Sequence, residues 1–238
     1  MEQIIFTNTL GVPEEYSPIP ANKSIPEWYI GLESYVGGHK KPVGNGTTSS
    51  TIKRCMPVFD ALTSGYIIPT YVDIFISQKE QETDQGIIKI PWYEWPSFNA
   101  LEFHPIQQAP THPNRNGHQL SYPKWINPWS IKTPPGYSAL YVSPFHRESF
   151  FTVFPGVVDS DVYSPPINFP FVLNDINFEG LIPAGTPMVQ VIPFKRDSWQ
   201  MVMGTQKDFE EQHNMGRLLK TKFFDGYKNR FRQVKEYR

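Results

Sequence analysis

The chain has 238 residues and a mass of 27.5 kDa, and its 39% hydrophobic and 15% aromatic content supplies a core and excludes global disorder. Twenty-two Lys and Arg face 23 Asp and Glu, which excludes a chain that coats nucleic acid along its whole length. Twenty-four evenly spread prolines exclude an all-helical bundle, because each removes a backbone donor, and 16 glycines without a three-residue period exclude collagen.

Residues 1–50 read as an irregular N-terminal arm. Ile19-Pro20 and Ile25-Pro26 bracket a polar stretch. Pro26 to Leu32 reads as a short helix with Ser24 as its cap and proline in the first turn. Gly37 to Ser50 is rich in Gly, Thr, Ser and Lys and reads as a loop. The opening Met1-Glu2-Gln3-Ile4-Ile5-Phe6 has neither the basic nor the apolar region of a signal peptide. No run approaches the ~18 consecutive apolar residues of a membrane span. Cys55 is the single cysteine, so no disulfide framework exists and a reducing, cytoplasmic compartment is expected. In that setting the sequons at Asn22 and Asn45 read as chance. With no histidine near it in sequence, Cys55 reads as a small buried hydrophobe rather than a nucleophile.

Residues 51–204 read as a β core. Tyr66 to Pro69 is one strand, and Tyr71 to Ile76 is a second with Val72, Ile74 and Ile76 on one parity. Lys79 to Gln85 reads as a charged hairpin tip and Ile87 to Ile90 as the return. Trp92, Trp95 and Phe98 follow, then a polar stretch from His104 to His118 that includes Asn114. Further strands are expected at Trp125–Lys132, Ser138–Val142, Phe150–Val158, Ile167–Leu173 and Met188–Phe194. Short strands at even spacing predict a single distorted β-barrel or sandwich.

Residues 205–238 read as a basic amphipathic α-helix. Leu219, Phe223, Tyr227 and Phe231 recur every fourth residue, with Leu218 and Val234 beside them. Residues 217–238 carry a net charge of +6, against −7 for the rest. That tail reads as a helix packing its aromatic stripe on the core, or as a contact for nucleic acid, an acidic protein or a second subunit.

The densest chemical signal is Pro155-Gly156-Val157-Val158-Asp159-Ser160-Asp161, followed by Ile167 to Asn174 and Ile182 to Phe194. In an extended stretch Asp159 and Asp161 share a face. Such a pair either caps backbone N–H groups in an Asx-type turn or binds Mg²⁺ and activates a water.

Gly156 to Asp161, the strand ending in Asn174, and Gly185-Thr186-Pro187-Met188-Val189-Gln190-Val191 resemble the central block of the trimeric dUTPase and dCTP deaminase superfamily; Ser64-Gly65-Tyr66 adds a fainter match. The resemblance covers residues 145–195. It implies a dUTPase-like core, a trimer, Asp159 as the carboxylate that activates water, Asp161 as its support, and a ligand set of Arg147, Ser149, Gln190, Tyr163 and Tyr66. Several motif positions depart from the family. Val162 stands where tyrosine is expected, with Tyr163 one step late, and His146-Arg147-Glu148-Ser149 lacks the phosphate motif's second serine and small residue. The deaminase's strand glutamate has no counterpart in Ile167–Asn174, and the glycine-rich C-terminal arm is replaced by the basic helix.

A second resemblance runs through Ile126 to Ser138, Gly156 to Asp161, Asn168 to Phe171 and Gly185 to Arg196. These segments are similar to a family of uncharacterised proteins found in tailed phages, notably those of cyanobacteria, and in some bacteria. That similarity implies a location in the host cytoplasm or the virion.

His104, His112 and His118 read as a surface loop rather than a Zn²⁺ or Fe²⁺ site, for no metal-ligand spacing is present. Trp92, Trp95, Trp125 and Trp129 read as core or rim packing rather than a stacking platform. No Walker, GxGxxG or Gly-x-Ser-x-Gly motif occurs. The expected protein is a homo-oligomeric structural or interaction module that needs no cofactor and contacts no membrane. The alternative is an Mg²⁺-dependent nucleotide pyrophosphatase with Asp159 as base and Arg147 on phosphate.

Overall fold

Ile74 and Ile76, two residues apart, are fully buried, while Phe75 between them is exposed. That period-two pattern is what a half-buried strand imposes. The structure is a computed structural model that describes residues 2–40, 42–43, 47–96, 99–113, 115–221 and 225–238. Gly44, Asn45, Gly46, Phe98, Asn114, Lys222 and Phe223 lie outside the described residues, as do the side chains of Leu218, Leu219 and Lys220.

Strands β1 (Ile5–Asn8) and β2 (Ile19–Pro20) come first. Helix α1 (Glu27–Gly31) follows, with extended Pro26 rather than Ser24 at its cap. After β3 (Pro42–Val43) and β4 (Thr47–Thr48), helix α2 (Met56–Thr63) starts from Cys55 with proline in its first turn. Next come β5 (Tyr66–Pro69), β6 (Ile74–Thr83), β7 (Gly86–Glu94) and β8 (Leu101–Pro105). The central strands are β9 (Ser121–Trp125), β10 (Trp129–Lys132), β11 (Tyr137–Val142), β12 (Phe151–Val153) and β13 (Gly156–Val158). Then come β14 (Phe169–Leu173), β15 (Gly180–Ile182) and β16 (Pro187–Lys195), and the chain finishes with α3 (Gln206–Thr221) and α4 (Gly226–Arg230).

The class is mostly β, but among the described residues no barrel closes. The strands form separate antiparallel sheets in the orders β1-β10, β13-β11-β16-β5-β2, β12-β14-β9-β8, β15-β6-β7 and β3-β4. Pro91 lies in β7, Pro123 in β9, Pro170 in β14 and Pro193 in β16, and each removes a ladder donor. The hairpin also differs from expectation. β6 continues through the charged residues to Thr83, with Lys79 opposite Ile90 and Glu80 opposite Lys89, and turns only at Asp84-Gln85. Cross-strand pairing outweighs the poor strand propensity of Lys and Glu there.

Two compact units divide the chain. The first comprises residues 1–20 and 65–196 and holds every sheet except β3-β4. Its core centres on three rings. Trp125 stacks on Phe171 at 5.0 Å, and Phe151 lies 5.2 Å from both. Trp129 is buried in the same core, whereas Trp92 is exposed beneath the Lys79 ammonium at 3.7 Å. The second unit comprises residues 21–64 and 197–238. There the Tyr29 hydroxyl donates to the Lys53 carbonyl at 2.9 Å and its ring stacks on Phe59. Asp60 on α2 accepts from Arg232 at 2.7 and 3.0 Å and from Lys235 at 3.0 Å. Cys55 is exposed rather than buried.

The expected single C-terminal helix is two helices, α3 and α4. Thr205 caps α3, its hydroxyl and N–H both donating to Asp208 at 2.6 and 2.7 Å. Before α4, Asp225 adopts a left-handed conformation, φ +60°, which turns the chain. Within the aromatic stripe, Tyr227 is exposed and Phe231 is half-buried. Among the described residues no helix is long and apolar enough to cross a membrane.

Candidate functional site

Strand β13 ends at Val158 and the chain turns at once. The Asp159 carbonyl accepts from the N–H groups of Val162 and Tyr163, at 3.1 and 2.9 Å. The turn brings Asp159 and Asp161 together, onto Arg196 at the end of β16. Arg196 donates to Asp161 from two nitrogens at 2.7 and 2.5 Å. It also reaches Asp159 at 3.2 Å. The Ser138 hydroxyl donates to Asp159 at 2.6 Å, and the Gly136 N–H donates to Asp161 at 2.8 Å.

These bonds set the charge states. The Ser138 hydroxyl and then the Arg196 guanidinium hold the Asp159 carboxyl below the usual carboxylate range. Arg196 and the Gly136 N–H hold Asp161 down to about 2. Arg196 is pushed above the usual arginine range by the same contacts. The Asp161 side chain is 7% exposed and that of Asp159 is 57% exposed. A guanidinium therefore stands between the two carboxylates, where a divalent cation would have to sit. Both Asp161 oxygens and one Asp159 oxygen are already hydrogen-bonded. As placed, the pair does not fit Mg²⁺.

Gln190, also on β16, lies elsewhere. It is 1% exposed, and its side-chain carbonyl accepts from the Phe145 N–H at 3.0 Å. Phe145, Arg147 and Ser149 belong to the loop between β11 and β12. Burial pulls the Arg147 guanidinium below its usual range. The Ser149 hydroxyl accepts from the Phe151 N–H at 3.3 Å. In the β11–β16 register Gln190 faces Val142, whereas Ser138, the partner of Asp159, faces Phe194. Ser138 and Val142 are four positions apart, roughly 13 Å along β11. The structure thus gathers Asp159 and Asp161 at one end of β11, and Gln190 with the Arg147–Ser149 loop at the other. Tyr66 opens β5, pairs with Val191 and meets the Phe6 ring at 5.2 Å. Tyr163 is exposed.

His118 and His112 serve packing. His118 is 3% exposed, accepts from the Leu173 N–H at 3.1 Å through Nε2, and so donates from Nδ1 to the Ser121 carbonyl at 3.1 Å. Burial holds this imidazole below its usual pKa. His112 stacks on Phe154 at 4.1 Å. Among the described residues no three His, Cys, Asp or Glu are placed to hold a metal ion.

Sequence reasoning missed Arg196. Its partners lie 35 and 37 residues upstream, and only the β11–β16 register joins them. The usable signal was a basic residue just past a strand that pairs with the strand carrying Ser138. The chain was compared with protein-family models and with curated proteins, and nothing matched in either case.

Proposed function

We propose that this chain is a non-catalytic structural or interaction module. The observation that carries this reading is the clamp of Asp159 and Asp161 on Arg196, which spends the carboxylates on holding the β13 turn to β11 and β16. A water-activating carboxylate needs a free, basic oxygen aimed at substrate, and a pair held at low pKa by a guanidinium is a weak base. The distance along β11 between the carboxylates and Gln190 supports the same reading. Trimeric assembly and the phage-type origin that the sequence resemblances imply are part of this proposal.

The test is a turnover assay with all deoxynucleoside triphosphates and Mg²⁺, on wild type and Asp159→Asn, beside thermal unfolding and sedimentation. The expected result is no pyrophosphate release, with Asp159→Asn altering only stability or assembly. Mg²⁺-dependent release by the wild type, lost in a folded Asp159→Asn variant, would establish the pyrophosphatase instead. Thermal shifts give a second readout, because ligand at 100 times its Kd stabilises by about 2.7 kcal/mol.

A further inference from the structure

The second unit carries a cleft made of two adjoining hollows of about 280 and 330 Å³, which share Arg54, Met56, Asp225 and Lys228. Lys53, Phe59 and Arg232 also line the first, and Cys55 and Tyr227 the second. Four cations, Lys53, Arg54, Lys228 and Arg232, thus face one lining carboxylate, Asp225.

Three of these cations are held in place. The Lys53 ammonium donates to the Ile30 carbonyl at 2.7 Å. Arg54 pairs with Asp225 and lies over the Tyr35 ring at 4.8 Å. Arg232 pairs with Asp60 and lies over the Phe59 ring at 5.5 Å. A single carboxylate uses only part of an arginine's five donors, so both guanidinium groups keep capacity for a further acceptor. Lys228 has no ion pair among the described residues. Fixed cations around a concave surface concentrate negative charge there, and the exposed Tyr227 side chain lines the second hollow.

We infer that this cleft binds single-stranded nucleic acid, with Lys53, Arg54, Lys228 and Arg232 on phosphates and Tyr227 stacking on a base. Cations interleaved with aromatic rings are the arrangement that a flexible strand engages with both backbone and bases. An acidic peptide would use the cations and leave the ring idle. A ring that stacks on a base favours a single strand, whose bases are available, over a duplex, whose bases are already stacked and paired. The inference goes beyond the reading above and rests on residues of the other unit, so either fails without the other.

The experiment is fluorescence anisotropy of the full chain with a fluorescein-labelled dT12 oligonucleotide at low salt. Binding is expected, with a log affinity that falls against log salt with a slope of about −3, as four neutralised phosphates of a single strand require. The double variant Lys53→Glu/Lys228→Glu should bind at least tenfold more weakly. Tyr227→Ala should lose several-fold in affinity at an unchanged salt slope, while Lys89→Glu in the first unit should change nothing. Cys55, the sole cysteine and at the cleft rim, reports the place of binding: bound dT12 should slow its reaction with a thiol reagent several-fold. Circular dichroism of each variant confirms its fold. Absence of dT12 binding, binding unaffected by the double variant, or polyglutamate competing as well as unlabelled dT12 would overturn the inference, the last in favour of an acidic protein.

Discussion

Arg196 grips Asp161 through two nitrogens, and the same carboxylate takes a third bond from the Gly136 backbone. Arg196→Met leaves a nearly buried carboxylate with one donor, and an unpaired buried charge is costly. The melting temperature should fall further than in Asp159→Asn, because Asp159 is exposed. Asp161 titrates at about 2, below the ~3.9 of an unfolded chain. Its contribution to stability is therefore complete above about pH 4 and lost as pH falls toward 2. Melting temperature measured from pH 2 to 7 should drop on that acid limb in wild type and flatten there in Arg196→Met.

His118 gives a second pH dependence at higher pH. Its neutral ring accepts from one backbone group and donates to another, and burial lowers its pKa in the folded state. Below ~6.5 the unfolded chain takes up a proton that the folded chain resists. Stability should thus be full above that pH and decline as pH falls from about 6.5. His118→Ala removes this step and leaves the Leu173 N–H buried without its acceptor, at a cost of about 1–3 kcal/mol in denaturant titration at pH 8.

Gly65 admits no side chain. It has φ +69°, and a Cβ there would sit 1.9 Å from the Val191 carbonyl oxygen, against the β16 strand that pairs with β5. Gly65→Ala should cost more than the ~1–2 kcal/mol of left-handed backbone alone, because the clash is with backbone that cannot move without breaking the ladder. Chemical denaturation reads the loss, and Gly11→Ala, which meets no atom within 4 Å, is the control for backbone strain.

Asp60 anchors the end of the chain. Burial works to raise its carboxyl, but Arg232 and Lys235 outweigh that and the net shift is downward. Asp60→Asn should release residues 231–238 from α2. Limited trypsin digestion at neutral pH should then cut after Arg230 and Arg232 several-fold faster, with the first unit still protected. Unchanged cleavage rates would show that other contacts hold this segment.

Part of this structure was legible in the residues. The parity of Ile74 and Ile76 and the strands around Tyr66, Ser138 and Met188 are local patterns, and local patterns survive in a single sequence. The charged arm of β6 was not legible, because partners across the hairpin decide it rather than propensity. The division into separate sheets was not legible either, because which strands pair is decided by partners far apart in the chain. The clamp and the cleft were hidden for the same reason. Asp161 and Arg196 are 35 residues apart, and Asp60 and Arg232 are 172 apart. No periodicity connects such partners.

The path of the chain through its two units has a consequence for biosynthesis. The polypeptide leaves the first unit after residue 20, returns at 65 and leaves again after 196. A ribosome has therefore delivered every strand of the first unit by the time residue 196 emerges. Helix α2 has by then been outside the exit tunnel for more than a hundred residues, with Asp60 still waiting for Arg232 and Lys235. The second unit closes only when residues 197–238 arrive, so pausing or early termination within them would yield a finished first unit and a half-built second one.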